Sequence, residues 1–144
     1  MPIIEFYNLK LAECSDYINK IYNNKSNTIW LIISGIGNKK ATKAVDFLYK
    51  ISNCNHKSLW INIGIAGHIK FKPGKLYEIK KVTYIKNNKV FYYSNSLISC
   101  FEMHEACSVD KQEKKFKDNY IYDMESYGFI QSVEKICLRE NICI

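Results

Sequence analysis

Two continuous apolar runs, separated by an amphipathic segment, constrain the fold of this chain more than any other feature. Residues 28–34 read Thr-Ile-Trp-Leu-Ile-Ile-Ser, residues 58–64 read Ser-Leu-Trp-Ile-Asn-Ile-Gly, and both runs lead into glycine turns. Such runs are typical of strands that are covered on both faces. Apolar residues recur at helical spacing between them, over residues 39–51, at Ala41, Ala44, Val45, Leu48 and Tyr49. The pattern predicts two neighbouring parallel strands joined by a helical crossover.

The rest of the chain continues the alternation of strands and helices. Pro73-Gly74 and Asn87-Asn88 are turn signals, and the second indicates either a hairpin or two edge strands over residues 76–85 and 89–93. Further predicted strands are 3–7, 98–106, 120–123 and 142–144, and further predicted helices are a weak one at 11–22 and a clear one at 124–138. Neither a linker nor a repeat interrupts this order, so we expect one α/β domain over residues 1–144, built on a mixed sheet.

The charge balance invites a nucleic-acid interpretation, which the residue types weaken. The chain has 144 residues, with 21 basic against 14 acidic side chains and a net charge of +7, but Arg139 is its single arginine. Recognition of bases and phosphates depends heavily on the planar fork of arginine. A basic module associated with nucleic acid therefore remains an alternative of low weight.

Cysteine usage and hydropathy predict a cytoplasmic protein that has no metal. No apolar run approaches the ~18 residues that span a bilayer, and no cationic leader precedes an apolar block at the N-terminus. The chain has 6 cysteines and no Cys-x-x-Cys pair. Cys100, His104 and Cys107 form the one cluster with ligand chemistry, but a closed zinc site needs a fourth ligand. We expect free thiols and neither metal nor membrane.

Three segments at predicted strand ends could carry chemistry, because ligands of α/β sheets bind there. They are Ser34-Gly35-Ile36-Gly37, Gly64-Ile65-Ala66-Gly67-His68 and Tyr122-Asp123-Met124-Glu125-Ser126. The first lacks the third glycine of a dinucleotide site, since Lys40 stands there, and a tight turn with close helix packing is the simpler interpretation. The second could aim N–H groups into a cavity. The third offers a carboxylate either to a helix N-terminus or to the hydroxyls of a vicinal diol.

The order of these segments resembles the purine/uridine phosphorylase superfamily, and especially its methylthioadenosine/adenosylhomocysteine nucleosidase branch. The resemblance covers residues 28–144. It implies a three-layer α/β fold around a mixed, partly barrelled central sheet. It also implies binding of a small-molecule purine nucleoside, cleavage of its N-glycosidic bond by water or phosphate, no cofactor, and a homo-oligomer, for which we favour a dimer.

The resemblance also assigns site residues. Met124 would pack against the sugar, and Glu125 would accept hydrogen bonds from the ribose 2′- and 3′-hydroxyls. Gly64, Ile65, Ala66 and Gly67 would form the loop beneath the nucleophile. The segment that ends at Asp110 would approach the base, which makes this carboxylate a candidate catalytic acid.

The chain departs from the family pattern at the positions that carry catalysis. Residues 1–10 show no turn with water-activating acids, and no acidic residue follows the strand predicted at 142, so the resemblance implies a domain truncated at both ends. Ile65 stands where many relatives have Ser or Thr, and it cannot hydrogen-bond phosphate. Hydrolysis is therefore favoured over phosphorolysis. The alternative is a catalytically impaired, shortened relative that only binds nucleoside or serves as an oligomer subunit.

Overall fold

The computed structural model describes residues 1–15, 20–93, 101–113 and 119–144. Within these ranges the helices are α1 (Pro2–Phe6), α2 (Asn38–Ile51), α3 (Ser126–Val133) and a 3-10 turn at Arg139–Asn141. The strands are β1 (Lys10–Leu11), β2 (Lys20–Asn23), β3 (Trp30–Ile33), β4 (Trp60–Ile61), β5 (Tyr77–Tyr84), β6 (Lys89–Tyr92), β7 (Glu102–Ser108), β8 (Ile121–Asp123) and β9 (Ile142–Cys143). The chain is a mixed α/β protein, as its sequence predicts.

A mixed sheet in the order β6-β5-β7-β8 forms the centre of the fold. Strands β5 and β6 form an antiparallel hairpin, whereas β7 runs parallel to both β5 and β8. Strand β9 pairs in parallel with β4, and the Ile79 N–H of β5 donates to the Ile144 carbonyl at 2.8 Å. Gly67, which follows β4, pairs with Tyr122 of β8. These links connect β4, β9, β5, β7 and β8 into a ring, as in a partly barrelled sheet.

The two longer helices pack against each other and contribute to the core. Apolar periodicity gives α2 its buried face of Ala41, Ala44, Val45 and Leu48. Helix α3 buries Phe129, Ile130 and Val133 in the same hydrophobic cluster. Gly128 lies directly against the Asn38 backbone, where a β-carbon would stand 2.0 Å from the Asn38 carbonyl oxygen. A glycine at this position lets α3 approach the first turn of α2 closely.

The predicted pairing of the first two apolar runs is wrong, although the helix between them is correct. Strand β3 pairs with β2 in an antiparallel sheet with β1, and β4 pairs with β9 instead of with β3. Strand β4 is also shorter than the predicted run, because residues 62–66 have no regular secondary structure. Strand partners are chosen by contacts distant in sequence, which a local apolar pattern does not encode.

The N-terminal predictions are also wrong. Residues 3–7 were expected to form a strand but belong mostly to α1, which begins at Pro2, and proline at the first helical position is a helix-start signal. The weak helix expected over residues 11–22 is replaced by the end of β1 and the start of β2, and residues 16–19 lie outside the described residues. Ile21, which is fully buried, faces the core from β2.

The predicted strand 98–106 and the predicted helix 124–138 are only partly confirmed. Strand β7 begins at Glu102, and residues 98–100 lie outside the described part of the chain. Helix α3 ends at Val133, after which short-range turns follow. No helix among the described residues is long and apolar enough to cross a membrane.

Candidate functional site

The junction between β8 and α3 is organised by a single carboxylate. Asp123 Oδ2 accepts hydrogen bonds from the N–H of Glu125 at 3.1 Å and of Ser126 at 2.6 Å. These donors lie at the start of a helix, where N–H groups have no intrahelical partner. Asp123 therefore serves the backbone, and the neighbouring acid, Glu125, is left for another role.

Glu125 bridges two elements that are far apart in sequence. Its Oε1 accepts a hydrogen bond from the Gly37 N–H, at 2.7 Å, in the turn between β3 and α2. Its Oε2 accepts a longer one, 3.3 Å, from the Met124 N–H. The side chain is half-buried. An ionised carboxylate offers about four acceptor positions, so two hydrogen bonds leave room for two more.

The loop after β4 is anchored beside this junction. Gly67 and Tyr122 exchange two backbone hydrogen bonds of 2.8 Å each. Met124 and Glu125 lie two and three residues after Tyr122. The structure therefore brings the loop Gly64, Ile65, Ala66 and Gly67 to the same edge of the fold as these two residues. Ile65 is 97% exposed, and the space around Gly64 is open. The loop thus forms an open, apolar rim with no side-chain hydroxyl at position 65.

Asn38 organises the packing beside the candidate site, and the sequence interpretation missed it. This buried amide, at the start of α2, accepts hydrogen bonds at its Oδ1 from the Gly128 N–H at 2.8 Å and from Ser108 Oγ at 3.3 Å. Ser108 Oγ in turn accepts one from the Tyr127 N–H at 3.2 Å. The network fixes α3 to the end of β7. The glycine-rich turn of residues 34–37 was the available signal, because it implies close packing at the next helix start.

Asp110, the candidate acid, lies in a different environment. Its carboxylate accepts a hydrogen bond from Tyr84 Oη, at 2.8 and 2.9 Å to its two oxygens, and lies 3.5 Å from Lys86 Nζ. The Tyr84 hydrogen bond lowers the pKa of Asp110. Burial, together with Asp110, raises the pKa of Tyr84 to about 12. A general acid needs a raised carboxyl pKa, so this environment suits a hydrogen-bond acceptor instead.

The cysteine and histidine residues form no metal centre within the described residues, where no group of three or more potential ligands comes together. Cys107 is buried, and the His104 imidazole lies 3.0 Å from Glu102. Cys100 lies outside the described ranges. The cluster considered from sequence is therefore not assembled from the members that the structure describes.

Comparison with known proteins places this arrangement in a defined fold. No protein-family model and no curated protein matches the sequence. Solved structures do match. The 5′-methylthioadenosine/S-adenosylhomocysteine nucleosidase of Neisseria meningitidis, in complex with methylthio-immucillin-A, superposes with a TM-score of 0.71 at 17% identity, over 100% of this chain and 80% of that one.

Two Helicobacter pylori structures give similar values. A futalosine hydrolase mutant has a TM-score of 0.73 at 16% identity, over 99% of this chain and 80% of that one. The 5′-methylthioadenosine/S-adenosylhomocysteine nucleosidase with butyl-thio-DADMe-immucillin-A has a TM-score of 0.72 at 15% identity, over 99% of this chain and 77% of that one. The protein has a nucleoside phosphorylase-like fold, which is similar to the fold of these nucleosidases. At 144 residues it is shorter than the matched chains.

Proposed function

We propose that this protein binds a purine nucleoside at the edge formed by the loop Gly64–Gly67, Met124 and Glu125. One observation carries the proposal: the half-buried Glu125 carboxylate lies at a strand-to-helix junction, with acceptor capacity to spare. Two hydroxyls of a ribose can use that capacity. The crystallised neighbours include complexes with nucleoside analogues, which supports the same class of ligand.

Hydrolysis of the N-glycosidic bond is the reaction that these residues support best. Glycosidic cleavage passes through a transition state with positive charge on the sugar, so a carboxylate on the sugar hydroxyls stabilises that state more than the ground state. Phosphorolysis needs an anion site. Ile65 offers no hydroxyl, and Arg139 is engaged with Glu134, with 2.9 Å between Nε and Oε1.

Ligand-dependent stabilisation tests nucleoside binding directly. Thermal unfolding is measured with adenosine, methylthioadenosine, inosine and uridine, and a ligand at 100 times its Kd stabilises by about 2.7 kcal/mol. Glu125→Gln keeps the shape of the side chain but removes its charge. We expect it to weaken binding at least tenfold, which corresponds to about 1.4 kcal/mol.

Glu140→Gln is the matched control, because it makes the same chemical change at an exposed position in the 3-10 turn. Its nucleoside affinity should equal that of the wild type. Equal affinity of the Glu125→Gln protein would contradict the proposed site, and absence of binding to all four nucleosides would contradict the proposed function.

A second candidate function is nucleoside binding without efficient catalysis. It is favoured by the surroundings of Asp110. Its carboxylate accepts the Tyr84 hydroxyl at 2.8 and 2.9 Å and lies 3.5 Å from Lys86 Nζ, and these contacts favour the ionised form over a leaving-group acid. We expect little release of free base from methylthioadenosine by the chain alone. Turnover at an ordinary enzymatic rate of ~1 s⁻¹ or faster would rule out this candidate and support the hydrolase.

We also propose that the chain is a cytoplasmic homo-oligomer, most simply a dimer. Apolar side chains that are exposed along one segment, namely Ile61, Ile63, Ile65 and Ile69, support association, because exposed apolar patches mark interaction surfaces. Light scattering should give about twice the chain mass of 16.9 kDa. A mass of one chain at all concentrations would contradict the dimer.

A further inference from the structure

The contact between Gly37 and Glu125 joins the most unusual backbone conformation of the site to its central carboxylate. Gly37 has φ 104° and ψ 152°, a region that is essentially restricted to glycine. No atom beyond the two neighbouring residues lies within 4 Å of the place where a β-carbon would stand, so conformation and not space requires glycine here. In this conformation the Gly37 N–H reaches Glu125 Oε1 at 2.7 Å, the short end of the range for hydrogen bonds to ionised groups.

The position of this N–H is fixed from its other side by α2. The Gly37 carbonyl accepts hydrogen bonds from the N–H of Lys40 at 2.9 Å and of Ala41 at 3.1 Å, which form the first turn of the helix. The next residue, Asn38, is buried and holds the Gly128 N–H at 2.8 Å. The donor is therefore part of the packed contact between α2 and α3.

We infer that Gly37 is a positioning residue for ribose recognition, which it controls by holding one oxygen of Glu125. The inference rests on the proposed nucleoside site. A glutamate side chain has several rotatable bonds, and the Gly37 N–H restricts them so that the unused acceptor positions of the carboxylate face a diol. Recognition of ribose hydroxyls then depends on the backbone of the turn between β3 and α2, and not on Glu125 alone.

A diol-selective loss of affinity distinguishes positioning from general damage. Gly37→Ala disfavours the observed φ and moves the N–H away from Glu125. We expect adenosine to bind about tenfold more weakly, which corresponds to about 1.4 kcal/mol. By contrast, the affinity for 2′,3′-dideoxyadenosine, which has no diol, should change by less than about twofold. The control is Gly35→Ala, which also strains this turn, because Gly35 has φ 73°. Among the described hydrogen bonds, the donor to Glu125 in this turn is the Gly37 N–H and not the Gly35 N–H. This variant should show no diol selectivity.

Amide hydrogen exchange tests the contact without any nucleoside. In the Glu125→Ala protein the Gly37 amide should exchange at least tenfold faster than in the wild type. The Gly67 amide, which donates to the Tyr122 carbonyl, should keep its rate. This measurement uses no Gly37 variant, so an unchanged rate would overturn the inference even if Gly37→Ala does not fold.

Three results would overturn the inference while leaving nucleoside binding intact. They are an unchanged Gly37 exchange rate in Glu125→Ala, an equal loss of affinity for both nucleosides in Gly37→Ala, and tighter adenosine binding in Gly37→Ala, which would mean that the hydrogen bond competes with ribose. Wild-type protein that binds neither nucleoside would instead overturn the proposed function, and with it the ribose role of Gly37.

Discussion

Gly128 lies where α3 meets the start of α2, and replacing it with alanine should destabilise the protein strongly. The added β-carbon would stand 2.0 Å from the Asn38 carbonyl oxygen, 2.6 Å from its carbonyl carbon and 2.8 Å from its Cα. All three are backbone atoms, so no side-chain rotation relieves the clash. The helices must separate.

The magnitude follows from three contributions. Alanine is a better helix former than glycine by about 1 kcal/mol, which opposes the effect. Overpacking costs about 1–3 kcal/mol or more. Separation also weakens two hydrogen bonds, from the Gly128 N–H to Asn38 and from Thr42 Oγ1 to the Gly128 carbonyl, each worth about 1 kcal/mol. We expect the free energy of unfolding to fall by about 3 kcal/mol, and Tm by about 10 °C in a chain of this size.

Chemical denaturation followed by circular dichroism measures this loss. Gly64→Ala is the control, because no atom lies within 4 Å of its β-carbon position and its φ is not in the left-handed region. It should stay within about 0.5 kcal/mol of the wild type. Equal stability of the two variants would refute the close contact between the helices.

Three further predictions concern single groups. Asp123→Ala should lower the free energy of unfolding by about 1–2 kcal/mol, measured by denaturation, because two N–H groups at the start of α3 lose their acceptor. Tyr84→Phe should raise the pKa of Asp110 toward its ordinary value in a carbon-13 NMR titration. Because the folded state lowers this pKa, Asp110 stabilises the fold at neutral pH and loses that contribution as pH falls through the folded pKa, and Tyr84→Phe should reduce this loss. An aromatic disulfide reagent should label the exposed Cys14 rapidly, whereas Cys137 should react only on unfolding, since burial raises its thiol pKa to about 11.

The parts of the fold that sequence predicted correctly are those that local patterns determine. The apolar spacing from Ala41 to Leu48 defines α2, and Asn87-Asn88 marks the hairpin between β5 and β6, where Asn88 adopts φ 55°. The predictions for the N-terminal segments are wrong because the apolar runs there are short, and short runs do not distinguish helix from strand. The pairing of β4 with β9 was not predicted, because it depends on residues that are distant in sequence.

In the candidate site, too, sequence predicted some features and missed those that depend on tertiary packing. Sequence order alone brought the Gly64–Gly67 loop and Glu125 into one hypothesis, and the bridge between Gly67 and Tyr122 gives that hypothesis a physical link. The donor to Glu125 was missed, because nearly every residue has a backbone N–H and the residue type does not show which one donates. Gly37 was interpreted as part of a tight turn with close helix packing, and the direction of its N–H toward Glu125 depends on how α2 and α3 pack.

The ring of strands also has a consequence for the rate at which the protein folds. Strand β4 pairs with a partner roughly eighty residues later in the chain, and the β5–β7 and β7–β8 pairs are parallel, so none of these three contacts is a hairpin. The entropy lost in closing such long loops must be spent before the contacts provide any stability. The β5–β6 hairpin can form early and alone, whereas the ring closes only when distant segments meet, so this small protein should fold slowly for its length.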